Sequence, residues 1–186
     1  MSTSDRILDA VAPIFATLGY DGAGTRQLAA AAGVNVATLA YHFGGKEGLY
    51  AAVIDRVYER LLAVDLDLDR LPPAPADRVR TLVARLHSVA RIHRAEIRIL
   101  LRHVVDTTHL PGRVEERWLP RVLERVALAI SAMDLPPGDH RLALLSVNHL
   151  LARYAVTEEA DLARFGADDE VVARHIGEVA VSILGL

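Results

Sequence analysis

From Thr25 to Leu49 the chain reads TRQLAAAAGVNVATLAYHFGGKEGL, two short apolar runs divided by Gly33 and stopped by the pair Gly44 and Gly45. A single glycine between two runs lets the backbone turn sharply through the left-handed conformation. The stretch therefore predicts one helix from Thr25 through Ala32 and a second from Val36 to about Phe43, packed against each other across a tight turn. A further helix is expected to start near Lys46, the only lysine of the sequence.

The rest of the composition agrees with helix. Of 186 residues 52% are hydrophobic and 5% aromatic, and the apolar ones are mostly Ala, Leu and Val. These favour an all-α fold with a real core over a sheet. With no cysteine the chain has no disulfide, no thiolate nucleophile and no Cys-ligated metal. The segment MSTSDRILDA lacks the basic and apolar regions of a signal peptide, and no window approaches the roughly 18 apolar residues of a membrane span. The expectation is a soluble, cytoplasmic protein with no membrane association.

A formal net charge of -3 is awkward for binding a polyanion, but its distribution is uneven. Between Gly22 and Lys46 there is no Asp or Glu, while Arg26 and Lys46 are both present. The two-helix unit is locally positive.

Before it, Ile7, Leu8, Val11, Phe15 and Leu18 recur at helical spacing, with Ser4 or Asp5 as cap and Gly19 as stop. Pro13 removes a backbone donor and is expected to kink this helix or weaken its middle turn by about 3 kcal/mol. The helix from Lys46 carries Leu49, Tyr50, Val53, Ile54, Val57, Tyr58 and Leu61 on one stripe and is expected to reach the Asp67 to Arg70 region. The segment LPPAPAD, Leu71 to Asp77, then breaks the chain. Five more helices are predicted at Asp77 to Arg94, Ala95 to Asp106, Arg113 to Met133, Asp139 to Val156 and Asp168 to Leu184, about nine in all.

In the two-helix unit Leu28, Ala29 and Ala32 face Leu39 and Phe43, and Val34 plugs the angle. Asn35 suits the N-cap of the third helix, leaving Val36, Ala37 and Thr38 outward at its start. That is where the recognition helix of a helix-turn-helix meets base edges. Thr38 can hydrogen-bond a base or phosphate, Val36 and Ala37 can touch a thymine methyl, and Arg26 can bind phosphate or guanine. Tyr41, His42 and Lys46 fall where backbone contacts are expected. For Thr25 and Asn35 capping is an equal reading, and His42 can equally pack within the unit.

On these residues the sequence resembles the TetR family of transcriptional regulators. The match consists of Thr25, Arg26, Leu28, Ala29, Ala32-Gly33-Val34-Asn35, Thr38-Leu39, Tyr41-His42-Phe43, Lys46-Glu47 and Leu49, within about Ile7 to Val57. Ala40 departs from it, since many relatives carry an aromatic phosphate contact there, which leaves more of that contact to Tyr41. The resemblance implies a three-helix DNA-binding head over 1–46, with the fourth helix, about 46–70, connecting it to a ligand-binding and dimerisation domain over 47–186. It implies a homodimer, usually a repressor, on a palindromic double-stranded DNA operator with half-sites about 34–36 Å apart. A small-molecule effector would move the two heads out of register.

In the body, His87, Arg91, Arg94, Arg98 and Arg102 would form a basic stripe if the helical phase carried through His93 and Arg94. Such a row fits an anionic ligand or DNA, and fits a solvated face better. Arg113, Arg117, Arg121 and Arg125 stand beside Glu115, Glu116 and Glu124 as a surface ion-pair ladder. His103, Asp106 and His109 do not converge firmly, so no metal site is expected. Trp118, Asn148, His149 and Tyr154 place polar tips within apolar helices. With His87, Arg102 and His103 they supply the candidate pocket residues His87, Arg102, His103, Trp118, Asn148 and His149, for each of which a satisfied core or interface position is the plainer account.

The predicted eighth helix is apolar on more than one side, and the ninth aligns Val172, Ile176, Val179 and Ile183. Helices of this kind need partners on two sides, so helices 8 and 9 are the expected dimer surface. No GxSxG, HExxH, glycine-rich phosphate loop or Cys/His pair points to an enzyme. The expectation is a non-enzymatic, ligand-responsive DNA-binding regulator without cofactor. The rival readings are an enzyme and a helical interaction protein that does not bind DNA.

Overall fold

The computed structural model describes residues 2–106 and 112–186, which form ten α-helices and, among the described residues, no strand. The helices are α1 (Thr3–Gly22), α2 (Thr25–Ala31), α3 (Val36–Phe43), α4 (Lys46–Leu62), α5 (Pro75–Ile92), α6 (Arg94–Asp106), α7 (Gly112–Met133), α8 (Arg141–Ala155), α9 (Glu159–Ala163) and α10 (Asp169–Leu184). The all-α expectation holds. The additional helix is α9, whose five residues are too few to show a periodicity; the predicted ninth helix is α10.

Several boundaries move for physical reasons. The first helix is capped by Ser2, whose hydroxyl accepts from Asp5 N–H at 3.1 Å while Asp5 Oδ2 accepts from Ser2 N–H at 2.9 Å. This reciprocal capping box replaces the expected cap at Ser4 or Asp5. Pro13 sits inside α1, yet the non-helical residue is Gly19, at φ 70°. The bend falls at the residue for which positive φ costs least.

The fourth helix ends at Leu62, well short of Arg70. Past it, VDLDLD alternates apolar and acidic residues and offers no helical face. The released backbone is held by Arg85, whose guanidinium donates to the carbonyls of Leu66, Asp67 and Arg70. Pro75 does not delay α5 to Asp77 but occupies its first turn, where a missing N–H leaves no intrahelical bond unmade.

Two compact units result, Met1–Ala63 with Ala95–Val122, and Val64–Arg94 with Leu123–Leu186. In the first, Ile7, Val11 and Phe15 of α1, Leu28 of α2, Leu39 of α3 and Leu49, Val53 and Ile54 of α4 share a core with Ile99 of α6 and Trp118 of α7. In the second, α10 packs on α5 and α8, and Val79, Leu82 and Val83 meet Val147, Leu151, Val172, Ile176 and Ala180.

Candidate nucleic-acid interface

The turn between α2 and α3 is built from backbone hydrogen bonds. Gly33, at φ 65°, donates to the Ala30 carbonyl at 3.1 Å and Val34 donates to Ala29 at 3.0 Å. This pair of bonds is a Schellman motif, which closes α2 and requires a residue at ease in the left-handed region. Val34 is half-buried behind it. Asn35 caps α3: its Oδ1 accepts from the Thr38 N–H at 2.7 Å and from the Thr38 hydroxyl at 3.0 Å.

The far end of α3 is as tightly fixed. Gly44 and Gly45 have φ of 73° and 113°, and α4 comes back so closely that a Cβ on Gly48 would collide with the Phe43 carbonyl oxygen. The bend holds α3 between two close crossings.

What α3 leaves outside is therefore fixed. Val36, Ala37, Ala40 and His42 are exposed, and Tyr41 is 86% exposed. Thr38 is half-buried, its hydroxyl turned back to its cap. Arg26, in the first turn of α2, is exposed. Thr25 is the first residue of α2 and not its cap, which is Gly24 without any side-chain bond; the expectation that Thr25 caps the helix is corrected. Gln27 in the same turn is also exposed. Neither a basic nor a capping residue, Gln27 carries no signature of its own in the sequence beyond its place in the acid-free run.

Lys46 lies 4.5 Å above the Tyr20 ring, with Nζ 3.5 Å from the Asp21 carbonyl oxygen. Its cation is held at the junction of α1 and α4 by ring quadrupole and carbonyl. His42 sits between the rings of Tyr41 and Phe43, at 5.3 and 6.1 Å.

The residues weighed as a ligand pocket take other places. Trp118 is buried, stacked on Tyr58 at 5.7 Å, and its Nε1 donates to Asp55 Oδ1 at 2.5 Å. His103 is buried with Nδ1 3.1 Å from the Tyr50 hydroxyl, and burial holds its pKa below the ordinary value. Arg102 donates to the Thr17 carbonyl at 2.7 Å. In the second unit His87 is 2% exposed, its ring nitrogens have no hydrogen-bond partner, and Nε2 lies 3.6 Å from Asp169 Oδ1. Burial lowers its pKa, against the opposing pull of Asp169. Asn148 and His149 are exposed on α8.

The basic stripe does not form. His93 leaves helical geometry at φ -99° and ψ 28°, which ends the phase. Arg91 instead turns inward, to Asp169, to Glu159 and to the carbonyls of Ala155 and Thr157. On α7 Arg117 pairs with Asp55 and Glu59 and Arg125 donates to the Val64 carbonyl, while Arg121 lies 5.1 Å over the Trp118 ring of its own helix. His109 lies outside the described residues, as do the side chains of Asp106, Arg113 and Glu115; among the described residues no group of three His, Cys, Asp or Glu side chains could hold a metal.

Two cavities accompany these elements. One of about 150 Å³ lies among α1, α4 and α6, walled by Ala12, Pro13, Val57 and Ile99 and rimmed by Asp9, Arg56, Arg60 and Glu96. Arg60 bridges Asp9 at 3.2 Å and Glu96 at 3.0 Å, while Arg56 reaches Asp9 at 2.6 Å. The other, of about 420 Å³, is enclosed by the end of α8, α9 and the start of α10. None of the six candidate pocket residues lines either.

The comparisons with known proteins concern both parts of this architecture. Residues 7–53 match the family described as bacterial regulatory proteins, tetR family. Over that segment the chain is similar to the TetR family. A probable HTH-type transcriptional regulator, YttP of Bacillus subtilis (strain 168), is 37% identical over 59 residues, which are 32% of this chain and 28% of that protein. The match to that relative is thus confined to little more than a quarter of its length.

Over nearly the whole chain the fold is shared with solved structures of low identity. AibR, in complex with isovaleryl coenzyme A and operator DNA, superposes with a TM-score of 0.73 at 18% identity, covering 95% of this chain and 96% of its own. A TetR-like transcriptional regulator from Rhodococcus sp. RHA1 gives 0.70 at 19%, covering 99% and 97%. These likenesses establish the fold. No helix among the described residues is long and apolar enough to cross a membrane.

Proposed function

We propose that this chain is a cytoplasmic, sequence-specific DNA-binding transcription regulator, a dimeric repressor released from a palindromic operator by a small molecule. The observation that carries the reading is the exposed face of α3, capped by Asn35 and held by the Gly33 turn, within a surface free of acidic residues from Gly22 to Lys46. Such a helix start enters the major groove, where Val36, Ala37 and Thr38 meet base edges. Arg26, Tyr41, His42 and Lys46 then contact the phosphates, joined by Thr25 and by the amide dipole at the start of α2.

The second protomer is needed because the two-helix unit of one head offers only Arg26 and Lys46 as cations, and affinity for DNA grows with neutralised phosphates. Leu142, which is 79% exposed, Leu145 and His149 on α8, with Ile183 on α10, supply the surface on which two copies join. AibR was solved with both operator DNA and isovaleryl coenzyme A; by analogy the body here takes an effector and the chain works by binding, not by catalysis.

The test is fluorescence anisotropy with DNA from upstream of the chain's own and neighbouring genes, comparing the wild type with Tyr41→Ala and Arg26→Ala. The reading expects a saturable operator complex lost or weakened in both variants. Equal affinity of all three proteins for operator and unrelated DNA would leave the helical interaction protein as the better account.

A further inference from the structure

The cavity at the end of α8 has a lining of a particular chemistry. Leu162, Ala167, Val171 and Val172 make it mostly apolar, and three rings, those of Tyr154, Phe165 and His175, stand in its wall. Among its lining residues Asp161 carries the only formal charge, and there is no Lys or Arg. Its volume of about 420 Å³ falls within the range of roughly 300–1,000 Å³ typical of ligand pockets.

The rings are disposed to receive something. Tyr154 and His175 meet edge to face, with centroids 6.3 Å apart and planes at 79°. Phe165 is 87% exposed although it lines the cavity. It stands just past Arg164, the C-cap of α9, and precedes Gly166, at φ 67°. An aromatic ring left this open at a cavity mouth has apolar area to bury on whatever enters.

The surroundings choose the sign of the charge. From Glu158 to Glu170 the sequence has six carboxylates, Glu158, Glu159, Asp161, Asp168, Asp169 and Glu170, against the single Arg164. Arg91 offsets two of them, Glu159 and Asp169, and Arg164 pairs with Asp161 at 3.1 Å. By sequence the segment remains acidic even with Arg91 and Arg153, which reaches the lining residue Thr157 at 3.5 Å, set against it. Ring faces attract cations through their quadrupole, a nearby carboxylate adds to that attraction, and the same carboxylates repel an anion.

From this we infer that the α8–α9–α10 cavity binds a lipophilic organic cation, a molecule with an apolar or aromatic body and one quaternary or protonated nitrogen, and that this is the effector class of the chain. The inference rests on the effector reading above and gives its ligand the opposite charge to an acyl coenzyme A. Tyr154 and Phe165 face the cation, Asp161 neutralises it, and Arg164 competes with it for Asp161. The surface of α8 assigned to the second protomer does not overlap the cavity: Leu142 and Tyr154 are twelve residues apart, about a third of a turn around the helix.

The experiment is isothermal titration of the full chain at low salt with benzyltrimethylammonium, and with 3-phenylpropionate as an anion of similar size. The cation is expected to bind saturably and the anion at least about fivefold more weakly. Asp161→Asn and Phe165→Leu should each weaken the cation about two- to fivefold, the scale of an exposed ion pair or ring contact. Arg164→Gln should tighten it, a gain that mere loss of structure in α9 cannot produce. Circular dichroism of each variant accompanies the titration.

Equal binding of cation and anion, no binding of the cation, or indifference of its binding to all three variants would overturn the assignment. Anisotropy of the operator complex separates this from the broader reading. Variant-sensitive cation binding without DNA release would uphold the cavity and overturn the effector role, whereas release by isovaleryl coenzyme A with no binding of the cation would overturn the cavity and leave the broader effector reading standing.

Discussion

Trp118 on α7 donates its indole N–H to the carboxylate of Asp55 on α4 at 2.5 Å, and the same indole lies flat on Tyr58, the planes 17° apart. One buried donor and one aromatic stack thus fasten α7 to α4, the helix that follows α3. Replacing Asp55 with Ala leaves the indole N–H unpaired in the core, a loss of about 1–3 kcal/mol. The expected outcome is a melting temperature lower by roughly 2–4 °C per kcal/mol. Trp118 is the only tryptophan, so its emission reports the same contact and should shift to the red. An unchanged spectrum and melting point would show that the hydrogen bond contributes nothing.

Gly48 is fixed by geometry, since any Cβ there meets the Phe43 carbonyl oxygen. Gly48→Ala must push α3 away from α4, which costs about 1–3 kcal/mol as overpacking and tilts the proposed recognition helix. The measurement is urea unfolding beside operator anisotropy. Affinity should fall under conditions where the variant is still folded, because the damage is to the placement of α3. Gly24→Ala, with open space at its Cβ, is the matched control: it trades the α2 N-cap for a poorer one, so a small loss of stability is expected without displacement of α3.

The salt dependence of operator binding separates the two basic residues of the head from Thr38. Lys46→Gln should weaken binding to every sequence alike and lower the salt slope by about one. Thr38→Val removes a hydroxyl at the start of α3 and should instead change which bases are preferred, at a constant slope. A panel of single-base operator variants titrated at several salt concentrations distinguishes these outcomes. Should Lys46→Gln keep the full slope, the cation stays on Tyr20 and does not reach phosphate.

Acid should destabilise the protein through two histidines. Burial lowers the pKa of His87 and of His103 below the ordinary imidazole value of 6.5, so below about pH 6.5 the unfolded chain takes up protons that the folded chain does not. Stability then falls with falling pH, by up to about 1.4 kcal/mol per pH unit for each group, until the folded-state pKa is reached. Above pH 7 neither contributes. Melting curves from pH 5 to 8 for the wild type and His87→Phe test it. The variant's slope below pH 6.5 should be shallower, and parallel curves would exclude His87 as a source.

How much of this was legible in the sequence depended on where the determining contacts lie. The turn at Gly33, the cap at Asn35 and the stop at Gly44 and Gly45 are local, so residue type and spacing disclosed them. The end of α4 was missed because the continuing chain is held by Arg85, some twenty residues away, rather than by helical bonds. His87 and Arg91 looked like members of a solvated row, and only the fold brings Asp169 and Glu159 to them. The cavity of α8, α9 and α10 was hidden because α9 is too short to leave a pattern and Phe165 reads as mere loop punctuation.

The last expectation concerns assembly. On α8 the buried residues Val147, Leu151 and Ala155 face the unit's own core, which leaves Leu142, Leu145 and His149 on the opposite side with large apolar surface in water. Burying a leucine is worth about 1.5–3 kcal/mol, and in a two-fold interface each substitution acts twice. Leu142→Glu together with Leu145→Glu should therefore turn a dimer that persists at micromolar concentration into a monomer, as measured by light scattering, without altering the helical content. Because the two heads would then bind separately, operator affinity should fall by orders of magnitude while binding to a single half-site is unchanged. A wild type already monomeric, or a double variant still dimeric, would place the assembly surface elsewhere than on α8.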